Sequence, residues 1–188
     1  MIGSHRGGDE TIEAMFACGH SKARPKSLST IRDDMFVKGA ARRLCDACIK
    51  YHEEVREYLL LNAEARSRDI AAATALRGSP KQIEWAGRIR ETWLSNTFDS
   101  RFKGVRWMRD ERSKFEKANI GASPEVVEEA INQVAIACFV GVEKALGEDR
   151  SWYWIDDRKE FYHFNTIISK HKTEAIESEI ARLTKVAA

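Results

Sequence analysis

No stretch of this chain is apolar for long enough to cross a membrane. The most hydrophobic run, Val134 to Val142, is about half the length of a helical span and reads as a buried helix. The opening residues, MIGSHRGGDETIEA, lack the apolar core of an export signal. Together these lead to the expectation of a cytoplasmic protein without a membrane partner. An excess of one charge is missing too. The 31 Lys and Arg nearly cancel the 29 Asp and Glu, leaving +2. Global charge therefore says nothing for or against nucleic acid, and any such role needs a local basic patch. Internal repeats, low-complexity tracts, a nucleophile motif and a phosphate-binding loop are all absent from the sequence. Cysteine is scarce, with four in 188 residues, and in a reducing compartment these are not expected to pair as disulfides.

What is present is ordinary globular material. An apolar fraction of 43% can bury a real core. The length suits one domain, or a small module attached to a larger one. Residues 1–10 read as a flexible lead-in. Two short apolar clusters follow, at Met15–Phe16 and Met35–Val37, and this is where strands are expected. The segment Ser21 to Leu28, with Pro25 in it, suits a hairpin turn or an irregular loop. From Asp46 to about Ala75 the spacing of Ile49, His52, Val55, Tyr58 and Leu59 is helical, and Gly78 ends the run. Ser79-Pro80 starts a second helix, with serine as N-cap and proline in the first turn. A further helix is expected over Val105 to Ala118. Gly121-Ala122-Ser123-Pro124 opens the most apolar one, which runs to Leu146. One or two amphipathic helices follow the aromatic segment SWYWIDDR.

Three of the four cysteines fall in a pattern that binds metal. Cys18-Gly19-His20 places two ligand types across a glycine, which permits a tight knuckle. Cys45-Asp46-Ala47-Cys48 adds two thiols at a helix start, where the helix dipole stabilises thiolate charge. Zn2+ favours four thiolate and imidazole ligands held tetrahedrally, so Cys18, His20, Cys45 and Cys48 form the expected site. A redox role for Cys45 and Cys48 lacks the preceding thioredoxin-like βαβ pattern. His52, four residues after Cys48 on one helical face, is the alternative to His20. Four protein ligands close the site, which makes it structural rather than catalytic. Cys138, deep in the apolar helix, reads as a small core side chain. The fold class is therefore mostly α (α+β). An N-terminal zinc-ribbon or treble-clef-like hairpin, spanning residues 11–60, leads into a long helix to about residue 76. A helical domain over residues 77–188 follows.

These residues resemble a loosely defined group of small zinc-ribbon-like proteins of bacteria, phages and plasmids. The resemblance rests on Cys18-Gly19-His20, Leu44-Cys45-Asp46-Ala47-Cys48-Ile49-Lys50, the Gly78–Arg90 stretch GSPKQIEWAGRIR, and Trp154-Ile155-Asp156-Asp157-Arg158. Such proteins often carry a cysteine two positions before Cys-Gly-His, where this chain has Phe16. If that cysteine is a ligand in the group, His20 takes over its role here. The resemblance implies a bacterial or mobile-element setting and carries over no activity.

Three further segments are candidate contacts to nucleic acid or to a protein partner. Lys81, Trp85 and Arg88 follow a helix start, where a phosphate and a stacked base fit. The competing reading packs Trp85 inward and pairs Lys81 and Arg90 with carboxylates. Arg101, Lys103, Arg106, Trp107 and Arg109 begin a basic stripe that extends through Arg112, Lys114 and Lys117, diluted by Asp110, Glu111 and Glu116. Trp152, Trp154 and Arg158 suit an interface anchor, or else a cap on the core. The functional expectation is a zinc-stapled binding protein that engages nucleic acid or a nucleoprotein complex, as a mobile-element accessory or an inhibitor of host defence. The alternative is a small enzyme built on Asp156, Asp157, Arg158 and His163, in a cleft with a shifted carboxylate.

Overall fold

The structure, a computed structural model, describes residues 10–102, 111–115, 117–118, 121–158 and 161–187. The chain divides into two compact units, Met1–Glu53 with Ser123–Val126, and Glu54–Ala122 with Val127–Ala188.

The first unit opens on an antiparallel hairpin, β1 (Thr11–Met15) paired with β2 (Ser21–Pro25), in a register that sets Thr11 against Pro25 and Met15 against Ser21. The turn is Phe16 to His20, so Ser21–Pro25 is a strand rather than a loop. The cluster Met35–Val37 also departs from expectation, because it lies on α1 (Thr30–Ala40). The reason is visible in the spacing. Asp33, Phe36 and Ala40 fall at helical intervals and turn inward, whereas a strand would bury alternate residues. The core of this unit is small: Ala14, Phe16 and Ala40 are buried together, with Phe36, Cys18 and Cys45 packed at the edge.

Asp33 does much to tie that unit together. Its carboxylate accepts from Arg24 at 3.0 Å and from the Ser27 backbone N–H at 3.1 Å. Arg24 also lies over the Phe36 ring, 4.3 Å from its centroid. One buried carboxylate thus links β2, the following turn and α1. The unit continues into α2 (Asp46–Ala73), whose helical run passes the division between Glu53 and Glu54.

The second unit is helical. It holds the rest of α2, α3 (Pro80–Asn96) with a π-helical continuation (Thr97–Phe102), most of α4 (Pro124–Leu146), α5 (Ser151–Asp156) and α6 (Tyr162–Ala187). SWYWID is therefore a short helix itself, and a single helix follows it. The start of α3 is a full capping box. The Ser79 hydroxyl accepts from the Gln82 N–H, and the Gln82 side chain accepts from the Ser79 N–H. Arg90 donates to the Ala71 and Thr74 carbonyls, not to a carboxylate as the packing alternative expected. It thereby satisfies acceptors at the C-terminal end of α2 that have no helical partner.

Aromatic rings centre this core. Trp154 stacks on Phe164 with centroids 3.9 Å apart, and Trp93 meets Trp154 edge-on at 5.6 Å. The Trp154 indole N–H donates to the Glu148 carbonyl at 3.0 Å. Helix α4 supplies the longest buried face, including Ile131, Val134, Ala135, Cys138 and Val142. Gly141 lets α4 approach α6 closely. A Cβ there would meet the Ile168 Cα at 3.0 Å, a tight contact that only a shift of the Ile168 backbone would relieve. Gly141→Ala is accordingly expected to destabilise the second unit by about 1–3 kcal/mol in urea unfolding, the cost of overpacking a filled core. A variant as stable as the parent would contradict this packing.

Two carboxylates in this unit are also buried. Glu128 accepts from Arg56 at 2.6 Å and from Arg112, while Glu111 accepts from Lys114 at 2.9 Å and Lys172 at 3.2 Å. No helix among the described residues is long and apolar enough to cross a membrane.

Candidate metal centre

The site forms where the hairpin turn meets the start of α2. Phe16 N–H donates to the His20 carbonyl at 2.8 Å, and Gly19 N–H donates to the Phe16 carbonyl at 2.9 Å, which folds the turn into a knuckle. Gly19 has φ of 76°, in the left-handed region that side chains with a Cβ rarely adopt. Ala17 N–H then donates to the Arg43 carbonyl at 3.0 Å, pinning the knuckle against the segment before α2. That segment ends in Cys45, and the first turn of α2 presents Cys48.

Cys18, His20, Cys45 and Cys48 come together there, with their ligand atoms all within 4.8 Å of one another. His20 Nδ1 lies 3.3 Å from the Cys48 sulfur and 3.7 Å from the Cys45 sulfur. The Cys45 backbone N–H donates to the Cys18 sulfur at 3.4 Å, a contact that stabilises negative charge on sulfur. His52 is not a member. It is buried on α2, edge-on to the Tyr51 ring, and its Nδ1 has no hydrogen-bond partner. Cys138, buried in α4, is not a member either.

The electrostatics within the cluster are unequal. Burial alone would raise the Cys18 thiol, yet hydrogen bonds from Cys45 and His20 bring it down to about 6. Cys48 is pushed up to about 12, first by burial and then by the neighbouring thiols Cys45 and Cys18. The cluster on its own therefore accommodates a thiolate at Cys18 and resists a second at Cys48. A cation among the sulfurs removes that conflict, since a coordinating thiol gives up its proton outright. Three thiols and one imidazole, with no open acidic ligand, make a donor set suited to holding a metal for structural purposes. The hold weakens as pH falls, because protons compete with the metal for the thiolates.

No protein-family model, curated protein or solved structure matches the chain. What stands is a Cys/His cluster beside an N-terminal hairpin, consistent with a zinc-ribbon or treble-clef-like module, on a mostly helical chain.

The other sequence candidates stand in differing surroundings. Lys81, Trp85 and Arg88 share the outward face of α3, and Arg88 is paired with Glu84 at 2.6 Å. Trp85 is 48% exposed, so it does not pack inward. Lys103, Arg106, Trp107 and Arg109 lie outside the described residues, as does the side chain of Arg101. Farther along that stripe, Arg112 and Lys114 are engaged by the buried Glu128 and Glu111. Trp152 is 49% exposed, with Arg150 over its ring at 5.3 Å. Trp154 is not a surface anchor. It is fully buried, because its stacking on Phe164 fills the core of the second unit.

The Asp156–Arg158 segment is occupied with folding. Asp157 accepts from the His163 and Phe164 backbone N–H groups and so caps the start of α6. Arg158 donates to the Ile155 carbonyl and lies over Trp85, 4.9 Å from the ring centroid. The His163 ring sits edge-on to Tyr153 at 4.7 Å. Asp33 and Glu128 went unnoticed in the sequence, and Glu111 was read only as diluting the basic stripe; nothing local marks them, since each is defined by what folds against it.

Proposed function

We propose that the metal is zinc and that the chain is a zinc-stapled binding protein engaging nucleic acid or a nucleoprotein complex. Three thiolates and an imidazole match the ligand preference and coordination number of Zn2+. Four protein ligands leave no position for a reacting water, so the zinc organises structure. The nucleic-acid reading is carried by one observation. Between Phe16 and Cys45 there are seven Lys or Arg against two Asp, a local surplus larger than the +2 of the whole chain. Lys22, Arg24, Lys26 and Lys38 meet carboxylates, whereas Arg32, Arg42 and Arg43 are exposed beside them. Three thiolates on Zn2+ leave one net negative charge, small against that surplus. The mobile-element or anti-defence setting follows the motif resemblance.

Electrophoretic or anisotropy titration of short DNA and RNA tests this. If about four phosphates are neutralised, affinity should fall roughly 50- to 150-fold between 50 and 200 mM salt. Absence of binding to either polymer at low salt rejects the nucleic-acid form. A protein partner is then the second reading, favoured by Leu28, Ile31 and Met35, which stand exposed at 110%, 71% and 69% in and before α1. An enzyme site around Asp156–Arg158 has less to support it, because Asp157 caps a helix and Arg158 covers an indole.

A further inference from the structure

Two of the sequence motifs meet at a single side chain. Trp85, from GSPKQIEWAGRIR, stands half exposed on the outward face of α3, with Lys81 four residues before it and Arg88 three residues after. Arg158, from the WIDDR segment, lays its guanidinium over the Trp85 ring at 4.9 Å. The same guanidinium donates to the Ile155 carbonyl, a neutral acceptor that does not cancel its charge. Arg88 shares its charge with Glu84. One exposed indole therefore carries a guanidinium over its ring, with Lys81 and the Glu84-paired Arg88 one turn either side of it on α3.

We propose that Trp85, Lys81 and Arg158 form a binding site for one nucleotide unit of a single-stranded nucleic acid, the base stacking on the indole and the phosphate meeting the two cations. The chemistry favours this ligand over others. Every base offers a π-face, and stacking on an aromatic side chain tolerates any sequence. A guanidinium already on the ring adds cation–π attraction and stands ready for phosphate. A protein hot spot is desolvated at its centre, which would strand the charges of Lys81 and Arg88 that stand one turn either side of Trp85 on α3. The site lies in the second unit, distinct from the basic zinc module in the first, and its assignment to a strand rests on the nucleic-acid reading above.

The test uses the full zinc-loaded chain and three probes at low salt: a fluorescein-labelled dT12, a labelled oligoadenylate of the same length, and AMP as competitor. Trp85→Leu should weaken both oligomers roughly tenfold, the worth of one base–aromatic stack, and Trp85→Phe should restore part of the loss. Arg158→Gln should weaken binding and reduce the magnitude of the salt slope by about one. Tyr58→Leu, at an exposed aromatic of α2 outside every candidate contact, should change little. Equal thermal melting of the variants separates lost contacts from lost folding. Unchanged affinity in both Trp85→Leu and Arg158→Gln overturns the site while leaving the zinc-module reading intact. No binding by the parent chain overturns both. AMP binding as tightly as the oligomers would assign the site to free nucleotides and overturn the strand assignment.

Discussion

Removing the metal, by chelation or by Cys45→Ser, is expected to unfold the first unit and leave the second folded. The first unit buries Ala14, Phe16 and Ala40 as its common core, too little apolar area to offset the entropy of ordering a hairpin and a helix. Units of this size need a staple, and structural zinc contributes on the order of 10 kcal/mol of apparent binding free energy that becomes folding free energy. The second unit has its own core of Trp93, Trp154, Phe164, Ile131, Leu146 and their neighbours, so it has no such dependence. Hydrogen exchange followed by mass spectrometry reads both at once. On chelation, amides of β1, β2 and α1 should lose their protection within the shortest labelling time. Those of α4 and α6 should keep theirs. Protection that persists across residues 11–40 without metal would show that the Asp33 contacts and the small core suffice alone.

The second large effect concerns Glu128. Its carboxylate is 5% exposed, and it holds Arg56, itself 8% exposed, at 2.6 Å. Removing the acid leaves a guanidinium in a place where water cannot reach it freely. Breaking one half of such a pair costs about 3–5 kcal/mol, more than the pair contributes over an apolar substitute. Glu128→Ala should therefore lower the urea midpoint of the second unit strongly. The double change Arg56→Met with Glu128→Leu should recover most of that loss. The recovery is the informative part, because it separates a stranded charge from lost packing. A single variant within 1 kcal/mol of the parent would mean that Arg56 finds another partner or reaches solvent.

These residues also mark where sequence reasoning stops. The Cys/His cluster was legible because a knuckle and a Cys-x-x-Cys are local patterns whose spacing carries their chemistry. The start of α3 was legible for the same reason, since Ser79, Pro80 and Gln82 act within one turn. Glu128 was not, because the residue that defines it, Arg56, is 72 positions away. Arg112 and Lys114 looked like a solvent-facing stripe, and only tertiary packing turned them toward Glu128 and Glu111. Met35–Val37 misled for another reason. A three-residue apolar cluster fits a strand or a helix equally, and the inward turn of Asp33, an acidic residue, concealed the helical period. Trp154 and Trp152 are two residues apart in one aromatic segment, yet one is core and the other surface. Their short helix α5 decides that, and composition alone does not.

The central claim is that one zinc ion, held by Cys18, His20, Cys45 and Cys48, staples the hairpin to the start of α2. X-ray absorption at the zinc edge, combined with elemental analysis of the purified chain, tests it most directly. The expected result is one zinc per chain with three sulfur and one nitrogen ligands, and loss of that shell in Cys45→Ser. A chain that purifies folded without stoichiometric metal, or a shell in which oxygen replaces one of the four ligands, would contradict it.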